Sequence, residues 1–259
     1  MSAASHVRAV LRSLVLAPFT VLSLLLALLA KGVAALAPAA GEALHARVVR
    51  SWARGVALIW GMRVEVRGEP PRAPFFLVAN HVSYADIILI YTQLSCVFLA
   101  KSEIAGWPIF GFLSRVAGTQ FVDRKRKGDL KRVIAVLEDT LDRGRGVVVF
   151  PEGTSTEGAE VQRFKPSVFE VPAKRRFPVS CAAISYCTPE GAPPARLSIC
   201  WWGDMPFVGH LYQGLGLPRF RALLSFDDRP LVSTDRKQLA LEAREAVARR
   251  FTPVTGCVA

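Results

Sequence analysis

The stretch that decides the fold is residues 75–91, which read FFLVANHVSYADIILIY. Its first five residues form an apolar run typical of a buried strand, and its last five continue with spacing that suits a helix. Asn80 and His81 then fall in the turn between these two elements. Ser83, with Asp86 three residues later, is a close variant of the capping box, so we expect the helix to begin near Ser83. The stretch therefore predicts a strand–turn–helix unit.

His81 and Asp86 of this unit could form a catalytic pair. A histidine acts as a general base when its imidazole titrates near neutral pH and a partner holds one tautomer. On one ideal helix, five steps of about 100° would leave the two side chains roughly 140° apart, so the pair requires His81 in the turn and Asp86 in the first helical turn. In the alternative interpretation, Asp86 only stabilises the helix N-terminus and His81 is an ordinary loop residue.

Strand-like and helix-like segments alternate through the rest of the chain. The strand candidates are residues 64–67, 75–79, 97–100, 120–122, 147–150, 179–184, 196–201 and 221–226, and helical patterns cover residues 129–142 and 235–250. This order predicts an α/β fold, with a mixed sheet flanked by helices and functional loops after the carboxyl ends of strands. The strand at 147–150 runs directly into Glu152-Gly153-Thr154, which would meet the His81 loop if the two strands are neighbours.

The N-terminal region is apolar enough to enter a membrane. Residues 14–30 carry no charge and are dominated by Leu, Ala and Val. As a helix this segment would be about 26 Å long, which is the lower limit for crossing a bilayer. We expect residues 1–42 to form a membrane-anchoring segment that spans or is deeply embedded, followed by an amphipathic helix over residues 44–60. A cleaved signal peptide ending near Ala35-Leu36-Ala37 is the alternative.

The chain is strongly basic, with 33 Lys and Arg against 21 Asp and Glu and a formal net charge of +12. Basic runs at residues 124–127, 131–132 and 174–176 would attract nucleic acid or anionic lipid. Because no nucleic-acid-binding motif accompanies them, we expect membrane lipid as a partner and no nucleic acid. The five cysteines include no C-x-x-C pair, so we expect no metal site, and their odd number mildly favours a reducing, cytosolic environment.

Three blocks in order along the chain carry a family resemblance. They are Asn80-His81 followed by Asp86, then Phe121-Val122-Asp123-Arg124, then Phe150-Pro151-Glu152-Gly153-Thr154. Together they resemble the glycerolipid, or lysophospholipid, acyltransferase family, and their spacing is similar to that of the 1-acyl-sn-glycerol-3-phosphate acyltransferases. The resemblance covers roughly residues 55–230. It favours the catalytic interpretation of the His81 block over the purely structural one.

The resemblance implies a mechanism and a set of site residues. His81 would be the general base that takes a proton from the hydroxyl of a lysolipid acceptor, and Asp86 would orient its imidazole. The acceptor oxygen would then attack the thioester of acyl-CoA or acyl-acyl-carrier protein, with no further cofactor. Residues 43–259 would form the acyltransferase domain. The implied substrate-binding positions are Asn80, Lys101, Arg124, Glu152, Gly153 and Thr154, and the implied acyl-chain path is lined by Trp107, Ile109, Phe110 and Phe112.

The acceptor is where the sequence departs from the family pattern. Many lysophosphatidate-specific members have Arg directly after Glu-Gly-Thr, whereas this chain has Ser155. Residues 201–205 and His210-Leu211 look similar to the lyso-ornithine lipid acyltransferase branch. We expect an O-acyltransferase at the cytoplasmic face of the inner membrane that converts 1-acyl-sn-glycerol-3-phosphate to phosphatidate, with lyso-ornithine lipid as the alternative acceptor. The sequence also admits an esterase or thioesterase that uses the same pair, and a non-catalytic lipid-binding membrane protein.

Overall fold

The computed structural model describes residues 2–123 and 129–254, apart from the side chain of Leu130. Seven strands form one sheet: β1 Met62–Arg67, β2 Phe76–Ala79, β3 Cys96–Lys101, β4 Gln120–Val122, β5 Gly146–Val149, β6 Val179–Cys187 and β7 Phe220–Phe226. The helices are α1 Ala3–Leu36, α2 Pro38–Trp60, α3 Ala85–Gln93, α4 Ser102–Ala105, α5 Phe110–Val116, α6 Asp129–Asp142, α7 Glu170–Arg175, α8 Ala195–Ser198, α9 Phe207–Leu215 and α10 Arg236–Arg250, with a 3-10 turn at Pro166–Phe169.

The sheet is mixed, as the sequence predicts. Its strand order is β1-β7-β6-β2-β5-β3-β4. The five strands from β6 to β4 run parallel, whereas β7 pairs with β6 in the antiparallel direction and β1 follows β7 in parallel. Strands β2 and β5 are direct neighbours, so the loops that follow them leave the same edge of the sheet. This arrangement brings together the two polar loops that the sequence singles out.

Helices cover both faces of the sheet because successive strand residues point to opposite sides. On one face Leu77 and Ile184 pack beneath α2 and α3. On the other face Val78 packs with Leu137 of α6 and Val247 of α10. The short central strands are buried on both sides, which explains why β2 and β5 read as continuous apolar runs rather than alternating ones.

The strand expected at residues 196–201 is wrong. Residues 195–198 form the short helix α8, and an irregular segment follows it. Pro193 and Pro194 precede this helix, and proline with its fixed φ favours a helix start over a sheet interior. Ile199 and Cys200 are fully buried all the same. Their burial in a turn accounts for an apolar pattern that is typical of a strand.

The N-terminal region forms a hairpin of two long helices. Helix α1 packs along α2, and a Cβ added at Gly41 would overlap the backbone of Ala34, so glycine permits the close approach. The other side of α1 is apolar and exposed, with Leu14 66% exposed. By length and composition α1 is the one helix among the described residues that could cross a membrane. Helix α2 runs through the boundary expected at residues 42 and 43, and that boundary stays a prediction.

Candidate active site

His81 and Asp86 meet at the carboxyl edge of β2. His81 lies in the turn that follows the strand, and Asp86 lies in the first turn of α3. The imidazole Nδ1 is 2.7 Å from Asp86 Oδ2. The ring also stacks on Phe150, which follows β5, with 4.2 Å between ring centroids. The His81 side chain is 22% exposed. The turn-plus-helix placement derived from the spacing is therefore the one that the chain adopts.

Asp86 is fully buried and gathers hydrogen-bond donors from four groups. Its Oδ2 accepts from the backbone N–H groups of Val82 at 2.8 Å and Ser83 at 3.0 Å, in addition to His81 Nδ1. Its Oδ1 accepts from the hydroxyl of Tyr186 at 2.8 Å. Because a carboxylate can only accept hydrogen bonds, His81 carries its proton on Nδ1. The imidazole Nε2 then has its lone pair available as a base.

The helix-cap interpretation holds in part and complements the catalytic one. Asp86 accepts the N–H groups of Val82 and Ser83, as the carboxylate of a capping box does. The helix begins at Ala85, two residues after Ser83, and Tyr84 is its N-cap residue. Ser83 Oγ accepts from the backbone N–H of Ala85 at 3.2 Å and donates to the carbonyl of Ile199 at 2.5 Å. One carboxylate thus holds both the helix start and the imidazole.

Tyr186 is a residue of this site that the sequence reasoning missed. It lies on β6, 100 positions from Asp86, on the sheet face that α3 covers. Burial, and then the adjacent Asp86, raise the pKa of the Tyr186 hydroxyl well above its ordinary value of 10.0, so it remains a donor. No local spacing signals the contact. The register of β6 against β2, which pairs Ala79 with Ala182, could have suggested it.

Glu152 braces the loop that carries His81. Its Oε2 accepts from the backbone N–H of His81 at 3.2 Å, and its Oε1 accepts from that of Gln162 at 3.1 Å. A second connection runs from the backbone N–H of Thr156 to the carbonyl of His81 at 3.0 Å. Burial, as the largest cause, raises the pKa of the Glu152 carboxyl to about 7. Glu152 therefore holds two loops together beside the imidazole.

The other expected substrate ligands fall in different surroundings. Asn80 is buried, and its side-chain amide exchanges two hydrogen bonds with the backbone of Ile184, at 2.9 and 2.8 Å. Lys101 ends β3 at the same sheet edge as His81. Gly153 adopts φ +77°, a left-handed conformation that favours glycine, and Thr154 is exposed. Arg124 lies outside the described residues. The substrate-binding roles of these residues stay predictions.

Comparisons with known proteins identify the family of the chain. The model of the family described as Acyltransferase matches residues 63–185. Over 73% of its length, the chain is 35% identical to a lyso-ornithine lipid O-acyltransferase of Rhodobacter capsulatus, of which it covers 70%. The chain belongs to the acyltransferase family. It is also 31% identical, over 60% of its length, to a 1-acyl-sn-glycerol-3-phosphate acyltransferase of Neisseria meningitidis, of which it covers 65%.

The fold comparison confirms the expected architecture of this acyltransferase. The structure is similar to that of the 1-acyl-sn-glycerophosphate (LPA) acyltransferase PlsC from Thermotoga maritima, with a TM-score of 0.63 and 20% sequence identity. The match covers 92% of this chain and 95% of the other. This likeness confirms the mixed α/β fold predicted from the sequence, and the family match with the sequence relatives confirms the family resemblance and the enzyme class. The chain is an acyltransferase of the lysolipid type.

An aromatic cluster adjoins the loop that carries His81. Trp107, one of the residues expected along the acyl-chain path, packs edge-on against Trp201 and Phe207, with centroids 5.8 and 5.4 Å away. Tyr84 of the His81 loop packs on Phe207 at 5.0 Å and hydrogen-bonds His210 Nδ1 at 3.0 Å. Several members of this cluster stand in segments that the sequence analysis singles out, but their convergence was not predicted.

The remaining acyl-path candidates lie in two different environments. Phe110 joins the aromatic cluster through Phe207, at 4.6 Å between centroids. Ile109 and Phe112 are exposed instead, by 71% and 48%. An acyl chain is apolar, so both environments suit one, but the exposed pair also suits contact with lipid. The acyl-chain path of the acyltransferase stays a prediction.

The cysteines of the acyltransferase offer no activated nucleophile among the described residues. Cys96, Cys181 and Cys200 are buried free thiols. Burial raises the pKa of Cys181 to about 12 and shifts that of Cys200 in the same direction, which keeps both protonated. Cys187 takes part in a disulfide bond. Disulfides are uncommon in reducing compartments, so the cysteines lend no support to the expected cytosolic face.

The hydroxyl of Tyr186 should tune the acyltransferase through Asp86. We expect Tyr186→Phe to lower kcat about tenfold, because the carboxylate loses a hydrogen bond to a charged group that also fixes its orientation. Without the Tyr186 hydrogen bond, the negative charge of Asp86 is less dispersed, so Asp86 should stabilise the imidazolium more strongly. The acidic limb of the pH–rate profile should therefore move to higher pH. Steady-state rates of acyl transfer across pH measure both effects. An unchanged profile with a lower melting temperature would indicate a structural role only.

Glu152 should leave a signature in the pH dependence of stability. With a folded-state pKa of about 7 against an ordinary value of 4.5, the carboxyl keeps its proton in the folded protein after the unfolded chain has lost it. Its contribution is complete below pH 4.5 and is lost as pH rises through about 7, a change of about 3 kcal/mol. Glu152→Gln should remove this decline, and thermal melting across that range detects it. The exposed Glu190→Gln is the control, and equal profiles for the two variants would contradict the assignment.

Proposed function

We propose that the chain is a membrane-bound O-acyltransferase that moves a fatty acyl group from a thioester donor to the free hydroxyl of a lysolipid, with lyso-ornithine lipid as the preferred acceptor. The observation that carries the proposal is the His81–Asp86 pair at 2.7 Å, with the imidazole partly exposed at the carboxyl edge of the sheet. A general base in this setting needs access to a substrate hydroxyl, and the exposure of His81 provides it.

The geometry supports a direct transfer between the two substrates. His81 Nε2 takes the proton from the acceptor hydroxyl as its oxygen bonds to the thioester carbonyl carbon. The resulting tetrahedral oxyanion collapses and breaks the carbon–sulfur bond, and the imidazolium returns its proton to the leaving thiolate. Asp86 stabilises the imidazolium between these steps. Buried, protonated cysteines favour this route over one through an acyl-cysteine.

Two observations support lyso-ornithine lipid over lysophosphatidate. The relatives named lyso-ornithine lipid O-acyltransferase are 30–36% identical over 72–79% of this chain, whereas those named for 1-acyl-sn-glycerol-3-phosphate match over 56–60%. In addition, Ser155 stands where an arginine would bind a phosphomonoester. This preference reverses the order in which the sequence ranked the two acceptors.

A competition experiment tests the acceptor. The purified protein receives equal amounts of lysophosphatidate and lyso-ornithine lipid, with acyl-CoA or acyl-acyl-carrier protein supplied in separate reactions, and mass spectrometry measures both products. We expect acylated ornithine lipid to predominate. Ser155→Arg should shift the product ratio toward phosphatidate by about tenfold, the worth of one charged hydrogen bond. Thr234→Arg, an exposed site before α10, is the control. Phosphatidate as the main wild-type product would overturn the preference.

The same reactions separate transfer from hydrolysis. Water could replace the lysolipid hydroxyl at His81, which would make the protein a thioesterase. Labelled acyl-CoA, incubated with and without the lysolipid, should give labelled diacyl lipid only when acceptor is present. Label that appears as free fatty acid at one rate whatever the acceptor would favour hydrolysis. Lipid binding without turnover of either kind would favour a non-catalytic role.

Association with one leaflet suits the geometry of α1 better than spanning does. Arg12 near its start donates to the carbonyl of Leu217, and Lys31 near its end donates to that of Arg115 at 3.2 Å. These positions lie about 28 Å apart along the helix, comparable with the hydrocarbon thickness of a bilayer. Because one domain holds both ends, α1 would lie along the surface with its exposed apolar side in lipid. We propose that the active site faces the inner membrane from the cytoplasmic side.

A further inference from the structure

A basic cleft lies away from the His81–Asp86 pair, where α1 meets the sheet edge formed by β1 and β7. Its volume is about 660 Å³. Five of the residues that line it are arginines: Arg8, Arg12, Arg63, Arg219 and Arg221. In the sheet order, β1 and β7 are separated from β2, the strand that leads to His81, by β6. The cleft is therefore distinct from the acceptor site beside the imidazole.

Three elements direct these arginines into one cleft. Arg63 on β1 is paired in register with Arg221 on β7, so the two residues lie side by side on neighbouring strands. Arg219 precedes β7. Arg8 and Arg12 lie four residues apart on α1 and so share one side of that helix. The convergence results from the fold and is not visible as a basic run in the sequence.

Carbonyl oxygens position the two α1 arginines without neutralising them. Arg8 donates to the carbonyl of Gly216 at 2.7 Å, and Arg12 donates to those of Leu215 at 2.9 Å and Pro218 at 2.7 Å. A carbonyl carries no net charge, so the guanidinium charges remain. Burial, followed by the neighbouring Arg8 and Arg219, lowers the pKa of Arg12. These like charges lie close enough to repel one another, and a bound anion would relieve that repulsion.

Of the carboxylates in the described part of the chain, that of Glu65 lies at the edge of the cleft and is shared between two arginines. Glu65 lies 3.7 Å from Arg221 and 2.7 Å from Arg67, which does not line the cleft. The arrangement thus favours an added anion over a cation. Phosphate groups suit it best, because the planar guanidinium fork donates two hydrogen bonds to a pair of phosphate oxygens.

The surroundings of the cleft indicate where the phosphate would come from. Val7, Leu11 and Leu14 are exposed on α1, about 100° around the helix from Arg8 and Arg12. If that apolar side lies in the acyl region of a leaflet, the arginines lie at the depth of the lipid headgroups. A soluble anion would gain nothing from this placement.

We infer that the arginine cleft binds the phosphate-bearing headgroup of an anionic membrane lipid and so fixes the acyltransferase on an anionic surface. The inference rests on the proposed membrane association, but it does not depend on the identity of the acceptor. The bound lipid is a docking ligand and is not consumed. Its site differs from that of the lysolipid, which must reach His81.

Vesicle co-flotation of the full-length protein tests the inference. The vesicles contain phosphatidylcholine alone, or phosphatidylcholine and phosphatidylglycerol in equal parts. The test variant is Arg63→Gln/Arg219→Gln, two exposed residues whose side chains are not used to hold α1. The control is Arg229→Gln/Arg249→Gln, which removes the same charge from exposed positions outside the cleft. We expect the test variant to lose about tenfold or more of the affinity gained from phosphatidylglycerol, since two cationic contacts with the anionic surface are removed.

The outcomes separate this inference from the proposed function. Binding to phosphatidylcholine alone reports insertion of α1 and should be equal in all three proteins; its absence in the wild type would refute membrane association itself. An equal phosphatidylglycerol effect in the two variants would overturn the cleft site. If the test variant instead shows a raised KM for acyl-CoA or acyl-carrier protein and keeps the phosphatidylglycerol effect, the cleft binds the acyl donor and the inference is overturned. If inorganic phosphate stabilises the wild type and the control against heat but not the test variant, and vesicle binding is intact in all three, the cleft binds a soluble anion and the inference is overturned.

Discussion

Replacing His81 with alanine is expected to lower kcat for acyl transfer by about 10²- to 10⁴-fold, the usual contribution of a general base. The imidazole is held at Nδ1 by Asp86, which leaves Nε2 to accept the proton of the acceptor hydroxyl. Without the imidazole, water must accept the proton of the hydroxyl, and water is a much weaker base than imidazole. KM should change little, because the imidazole acts on the reacting hydroxyl and does not supply the main binding surface.

The measurement is the initial rate of diacyl lipid formation, with the melting temperature and vesicle binding recorded for the same preparation. His6→Ala is the matched control, since His6 is exposed at the start of α1 and its Nδ1 lies 3.4 Å from the hydroxyl of Tyr212, away from His81. It should retain wild-type activity. A folded, membrane-binding His81→Ala protein with undiminished acyl transfer would reject the mechanism, and the non-catalytic interpretation of the family fold would then gain support.

The local parts of the site could be predicted from the sequence because short-range rules control them. Residues 75–91 contain a strand, a turn and a helix within one uninterrupted stretch, so the apolar pattern and the Ser83-to-Asp86 spacing suffice to place His81 beside Asp86. The approach of the Glu152 loop follows from one further step, the pairing of β2 with β5. Parallel neighbours bring their carboxyl ends to one edge of the sheet.

The long-range parts could not be predicted, because they depend on strand order and register. Tyr186 reaches Asp86 only because β6 pairs with β2 on the side away from β5. The sequence predicts Asn80 as a substrate ligand, but its side-chain amide is hydrogen-bonded to the backbone of Ile184 on the neighbouring strand β6. Five arginines spread between residues 8 and 221 form a cleft that no linear pattern reveals.

The erroneous strand at 196–201 shows a different limit. Apolar residues in a buried turn look like those in a buried strand when their length is similar. Here the segment anchors the loop that carries His81, since the backbone N–H of Trp201 donates to the carbonyl of Val82 at 2.9 Å. Ile199 and Cys200 in this segment are buried, as a strand there would require, but its backbone is not that of a strand. The two prolines before α8 were the available signal for that difference.

Replacing Asp86 with asparagine is expected to lower kcat by about 10²-fold or more while the imidazole keeps its orientation. Three donors, from His81, Val82 and Ser83, converge on Oδ2. The asparagine oxygen should occupy that position, because the amide N–H₂ group would oppose all three. The tautomer of His81 is then retained, and what is lost is the negative charge that stabilises the imidazolium. The acidic limb of the pH–rate profile should accordingly move to lower pH.

Tyr186 makes this prediction testable by a double-mutant cycle. In Asp86→Asn the amide N–H₂ group faces the Tyr186 hydroxyl, which can accept instead of donate, so the contact survives without the charge. If Tyr186 acts by orienting the charged carboxylate, Tyr186→Phe should cost much less activity in the Asp86→Asn background, where no charge remains, than in the wild type. Additive losses would mean that the two residues act separately. Asp139→Asn, at an exposed position on α6, controls for the loss of one carboxylate and should leave both the rate and its pH profile unchanged.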